Sequence, residues 1–221
     1  MMGLRADKFA WLMLLGTTLL SSLACQKAYY TTMEKFGVHK RDILAERVEE
    51  ARDSQHEAKD QFKSALARFQ AVVGDPGGEL KDKYEQLKDE LEESEAKAEK
   101  VRERIDAVED VAKALFQEWE LELSQYSNEK LRTSSEKKLK ATREDYAGLM
   151  AAMKKAEGRI DPVLTPLRDQ VLYLKHNLNA QAIAALQDEL VEVEADVQSL
   201  IQEMEAAIKE ADAFIQELGK G

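Results

Sequence analysis

Cysteine occurs once in the 221 residues, proline three times and histidine three times, and aromatic residues make up only 6% of the chain. A single cysteine excludes an internal disulfide. So few prolines, with ten glycines, leave long stretches that nothing interrupts as helices. Scarce aromatics beside 34% charged residues fit long solvated helices better than a compact mixed core. Basic surplus is missing as well. The net charge is -11, so a nucleic acid backbone finds no basic stripe to meet. The same acidity disfavours direct adsorption on anionic lipid, and any membrane contact is expected through an anchor.

What is present begins at the N-terminus. Arg5 and Lys8 precede an uncharged run, Phe9–Ala24, which ends on the small residues Ser21, Ser22 and Ala24 just before Cys25. A basic start, an apolar middle and a small-residue end make an export signal. The run is shorter than the about 20 residues a helix needs to span a bilayer, so residues 1–24 are expected to be a cleaved signal peptide. Ser22-Leu23-Ala24-Cys25 resembles a bacterial lipobox, in which Leu, then Ala or Ser, then Gly or Ala precede the cysteine. Ala24 and Cys25 match that pattern, whereas Ser22 and Leu23 depart from it. The resemblance implies cleavage before Cys25, a diacylglyceryl group on its sulfur and acylation of the new amine. Two or more acyl chains anchor stably where one does not. Gln26 rather than Asp after the cysteine is similar to outer-membrane sorting, which implies an envelope protein facing the periplasm.

Residues 25–42 then form an anchor and juxtamembrane segment, and residues 43–218 carry the helices. Apolar or small residues recur at Leu44, Val48, Ala51, Ala58, Phe62, Ala65, Phe69 and Val72, with Gln55 in the one remaining slot. Steps of four and three are the heptad rhythm of packed helices. Gly74-Asp75-Pro76-Gly77-Gly78 stops the run. A second stripe reads from Leu80 through Leu87, Leu91, Ser94, Ala98, Val101 and Ile105 to Trp119 without a slip. Two helices of about 45 residues, roughly 65 to 70 Å long, are expected to fold back on one another. A second reversal is expected around Ser127-Asn128 and Thr133-Ser134-Ser135, where cap-forming residues gather.

The third stripe runs from Leu139 to Leu167 and keeps its phase across Asp161-Pro162 and Pro166. Preserved phase favours a kinked helix; a new helix with Asp161 as N-cap and Pro162 in its first turn is the alternative. After Leu174 the heptads resume in a shifted phase from Leu186 to Leu218. Asn177 can end one helix and Asn179 cap the next. The expected fold is all-α, a long antiparallel coiled coil or four-helix bundle; the alternative is three long helices, the last kinked near Pro162-Pro166.

For chemistry the candidates are few. His39, His56 and His176 lie in different segments, with no His-x-x-x-His or cysteine partner for a metal. The acidic pairs fall mainly between heptad positions and read as solvated faces. Gly74–Gly78 lacks the Gly-Lys-Ser or Gly-Lys-Thr of a phosphate loop. No enzyme activity and no cofactor are expected. Two stretches break the monotony: Ala28-Tyr29-Tyr30 through Phe36 and His39 to Asp42, and Leu172-Tyr173-Leu174-Lys175-His176-Asn177-Leu178-Asn179. Tyr29, Tyr30, Phe36, His39, Tyr173, His176, Asn177 and Asn179 are the candidate partner-binding residues, and packing or capping is their structural alternative.

With Arg47-Val48-Glu49-Glu50-Ala51-Arg52-Asp53 and Glu205-Ala206-Ala207-Ile208-Lys209-Glu210-Ala211-Asp212-Ala213-Phe214-Ile215, these stretches make the chain resemble a family of Gram-negative bacterial proteins catalogued only as a domain of unknown function. The resemblance implies an envelope-associated helical protein and transfers no catalytic or binding residues. The expected function is that of a lipid-anchored structural or interaction protein with a protein partner in the envelope. The alternative is an envelope-stress or membrane-organising homo-oligomer.

Overall fold

A computed structural model describes residues 39–74, 77, 79–177 and 180–220. They form five helical segments, and no strand occurs among the described residues. These are α1 (Lys40–Gly74), α2 (Leu80–Leu123), α3 (Glu129–Glu157), α4 (Ile160–His176) and α5 (Ala180–Gly219). The chain divides into two compact units, Met1–Ile43 and Leu44–Gly221. In the first unit, the described residues open α1. His39 is the N-cap: its carbonyl accepts from the N–H of Asp42 at 2.9 Å. Its own N–H donates to Asp42 Oδ2 at 3.2 Å, one leg of a capping box.

In the second unit the heptad stripes become the core. Val48, Phe62, Phe69, Leu87, Val101, Ile105, Leu149, Leu200 and Met204 have no exposed surface. Side-chain pairs between helices give the direction of each neighbour. Against α1, α2 runs antiparallel, with Arg104 on Glu50 at 2.9 Å, Lys97 on Glu57 at 3.1 Å and Gln61 donating to Glu90 at 2.9 Å. Near the hairpin's closed end the buried Lys83 donates from Nζ to the Val72 carbonyl at 3.3 Å. The last turn of α1 has no basic residue of its own, so α2 supplies the cation its C-terminal carbonyls favour.

The α2–α3 reversal occupies Ser124–Asn128. Asn128 caps α3, its side chain accepting from the N–H of Lys130 at 3.0 Å and of Leu131 at 3.2 Å. Thr133-Ser134-Ser135 lie inside α3 rather than in the turn, which corrects half of the expected reversal. Ser135 has a helical task there, since its Oγ accepts from Trp119 Nε1 at 2.7 Å.

Between α3 and α4 only Gly158-Arg159 intervene. Neither sequence alternative has the position right: the break lies upstream of Pro162-Pro166, and the N-cap is Arg159, without a side-chain cap bond, instead of Asp161. The kinked-rod reading holds nonetheless. Pairs to α2 keep one antiparallel register through the break, from Arg143 on Glu120 at 2.7 Å and Lys154 on Asp106 at 3.3 Å to Arg102 on Asp161 at 2.8 Å and Arg168 on Glu95. Pro162 falls in the first turn of α4, where an N–H is not needed. Pro166 sits inside the helix and cannot bond the Pro162 carbonyl.

After α4 the chain reverses and α5 runs back along α3 and α4. Phe214 lies 6.3 Å from Tyr146, ring to ring, and Glu203 takes Lys155 at 3.0 Å. Helix α5 also meets α1, through Arg52 on Asp212 at 3.0 Å and Lys59 on Glu205 at 3.5 Å. The second unit is thus a bundle of four antiparallel rods, the third of them α3 and α4 joined end to end.

Candidate functional site: a cleft between α4 and α5

Of the residues singled out in the sequence, Cys25, Tyr29, Tyr30, Phe36 and Asn179 lie outside the described residues, as does the signal peptide. His39 caps α1. The other three gather on the last turn of α4. There Asn177 is the C-cap, its Nδ2 donating to the Tyr173 carbonyl at 2.9 Å and its N–H to the Leu174 carbonyl at 3.2 Å. His176 is exposed beside it. Leu174 is buried while Leu172 and Tyr173 face solvent, 57% and 43% exposed, because one side of an amphipathic helix packs and the other does not.

Tyr173 stands at the rim of a cleft of about 500 Å³ between α4 and α5, lined by Pro166, Asp169, Gln170, Leu186 and Glu189. An adjoining cleft of about 490 Å³ continues along the same two helices past Asp161, Pro162 and Thr165 on one wall and Glu192, Val193 and Asp196 on the other. Leu186, Val193 and the prolines give an apolar floor; carboxylates form the rim. Asp161 is taken by Arg102. Asp169, Glu189, Glu192 and Asp196 have no ion pair among the described residues.

One buried group in this cleft lacks a partner. Gln170 is 6% exposed, and its Nε2 makes no hydrogen bond. An amide buried without a partner costs about 1 to 3 kcal/mol, so a carbonyl acceptor brought into the cleft gains there. Sequence reasoning missed Gln170 by ending the third stripe at Leu167. Continuing the count places Gln170 in the next inward slot and Leu174 after it, and a polar residue in a heptad slot was the available signal.

Elsewhere some surface carboxylates are held by cations of a neighbouring helix, while others, such as Asp82, Asp89 and Glu93 on α2, are exposed without an ion pair among the described residues. The Glu57 carboxyl lies below the ordinary carboxylate range because Lys100 and Lys97 donate to it, and Arg143 does the same for Glu120. No cluster of His, Cys, Asp or Glu suited to a metal occurs among the described residues. No described helix is long and apolar enough to cross a membrane.

A family model described as a protein of unknown function (DUF2959) matches residues 29–218. No curated protein and no solved structure matches the chain.

Proposed function

We propose, from the premise that the chain belongs to the DUF2959 family of proteins of unknown function, that it is an exported bacterial lipoprotein. In this reading Cys25 carries the lipid, the protein faces the periplasm from the outer membrane, and the helical bundle acts by binding a protein partner rather than by catalysis. The observation that carries the binding role is the α4–α5 cleft, where an apolar floor and carboxylates without an ion pair lie together over the buried, unpartnered amide of Gln170. The rest of the apolar stripe is spent on packing one rod against another. Support for the anchor comes from the sequence: the only cysteine follows an uncharged run of export type.

Metabolic labelling with a palmitate analogue tests the anchor. Label is expected on the native chain and absent from Cys25→Ser; equal labelling of both refutes it. Crosslinking in cells, with a photoreactive residue replacing Tyr173, tests the docking face. A discrete adduct absent when the residue is placed on the outer face of α2 supports the reading, and identical patterns from both positions count against it.

A second reading, a membrane-organising homo-oligomer, draws on a different feature. At the α2–α3 hairpin tip, Leu121, Tyr126 and Leu131 are 71%, 42% and 57% exposed beside the exposed Lys130, Lys137 and Lys138. Light scattering of the purified chain separates the two readings: a discrete monomer or dimer favours docking, and a concentration-dependent ladder favours assembly.

A further inference from the structure

We infer, resting on the reading that a protein docks in the α4–α5 cleft, that the docking segment is a cationic amphipathic helix. Its apolar side chains lie on the Leu186, Val193 and proline floor, and its lysines or arginines meet Asp169, Glu189, Glu192 and Asp196.

Charge decides the class of partner. A neutral or acidic segment covering this cleft would take four carboxylates out of water with nothing to pair them, and an uncompensated buried charge is strongly destabilising. At other inter-helix seams that penalty is met internally, as where Glu50 is shared by Arg47 and Arg104 and Glu57 by Lys97 and Lys100; what sets the cleft apart is that its four unpaired carboxylates line one groove. At the cleft rim no described residue supplies a cation to these four carboxylates. Hydrogen-bonding capacity points the same way. The carboxylates accept only, and Pro166 leaves the Pro162 carbonyl without its helical donor, so the rim favours a donor-rich visitor.

Shape decides the conformation. Both walls are helices, so there is no strand edge for an extended segment to extend; a helix laid in a groove is the recognition mode that suits two side-by-side helical walls with an apolar floor. From Asp161 to Tyr173 the cleft runs about 18 Å, or roughly three helical turns. Gln170 Nε2, on the floor, would take an acceptor such as a polar side chain or a terminal carbonyl of that helix.

The test uses the full chain in detergent micelles and a fluorescein-labelled, 14-residue Leu-Lys helical peptide, followed by anisotropy. Two variants carry the same charge change. One neutralises the cleft (Asp169→Asn, Glu189→Gln, Glu192→Gln, Asp196→Asn); the other neutralises exposed carboxylates of α2 (Asp82→Asn, Asp89→Asn, Glu93→Gln, Glu103→Gln), and circular dichroism confirms that both fold. The cleft variant is expected to raise Kd about tenfold or more and the α2 variant less than about twofold, the signature of local pairing rather than bulk attraction. A Leu-Glu peptide of equal length is expected not to bind. Equal weakening by the two variants, or no binding of the Leu-Lys peptide, overturns the inference. The photoreactive residue at Tyr173 keeps this failure distinct from that of the docking reading. An adduct whose captured segment carries no lysine or arginine sinks the charge assignment alone, whereas no site-dependent adduct at all sinks the docking reading itself.

Discussion

Gln55 and Gln170 occupy inward heptad slots in different rods, and they pose the same residue-scale problem. Gln55 has no exposed surface, and neither its Oε1 nor its Nε2 finds a partner. Replacing a buried, unbonded amide by a hydrocarbon of similar size removes a desolvation cost without opening a cavity. Gln55→Leu is therefore expected to stabilise the fold by about 1 to 3 kcal/mol, read from denaturant unfolding; an unchanged or lower midpoint would show that the amide is bonded after all. Gln170→Leu is expected to stabilise in the same way but to weaken Leu-Lys peptide binding, which Gln55→Leu leaves alone. The glycines allow a cleaner test. Gly148 lies inside α3 with nothing within 4 Å of where a Cβ would sit, so Gly148→Ala should add about 0.5 to 1 kcal/mol through the unfolded state and helix propensity.

At the scale of the element, three helices meet at Tyr146. Its ring is edge-on to Phe116 of α2, with centroids 5.3 Å apart at 72°, and tilted at 57° against Phe214 of α5. The Arg143 guanidinium lies 5.2 Å from the Phe116 ring centre. Burial, with the Glu109 carboxylate adding to it, pushes the Tyr146 hydroxyl up to about 12 from an ordinary 10.0. The sign of the linkage follows: the unfolded chain loses this proton near pH 10 and the folded chain near pH 12, so the stabilisation is full below pH 10 and is lost as pH rises between them. Unfolding midpoints across that interval should fall, and Tyr146→Phe should flatten the part of the slope due to this group. A slope unaffected by the substitution would show that Tyr146 ionises freely in the fold. The sequence made this junction half legible. Phe214 and Tyr146 stand in heptad slots and were readable as inward, but Phe116, next to the slot of Leu115, was not, because a bundle buries a wider stripe than the two-stranded seam the heptad count assumes. The Gly158-Arg159 break was misplaced for a related reason. Proline draws attention as a breaker, yet Pro162 sits where a first turn tolerates it, and the chain yields at the glycine before it. The cleft escaped notice because its walls come from α4 and α5 together, and a single stripe does not show which outer faces come to lie side by side.

For the whole molecule, electrostatics sets two opposing trends. The chain carries -11 at neutral pH and balances near pH 5.0, so acidification from pH 7 to pH 5 relieves self-repulsion that works against the compact state. Against that, Glu57, Glu120 and Glu129 hold their carboxyls below the ordinary 4.5 through hydrogen bonds from Lys100, Arg143 and Arg132 respectively. A group depressed by folding contributes stability above its unfolded value and loses it as pH falls through its folded value. These pairs are exposed, and each contributes little, but they lie on α1–α2, α2–α3 and within α3, so their loss is spread over the bundle. The two trends change places near pH 4.5. Thermal melts followed by circular dichroism should therefore show the midpoint rising from pH 7 to about pH 5 and falling below about pH 4. Added salt should raise the midpoint at pH 7, where repulsion dominates, and have the weaker effect at pH 5, where the net charge is close to zero. A midpoint that falls steadily from pH 7 downward would mean that specific ion pairs, rather than net charge, govern the stability of the bundle.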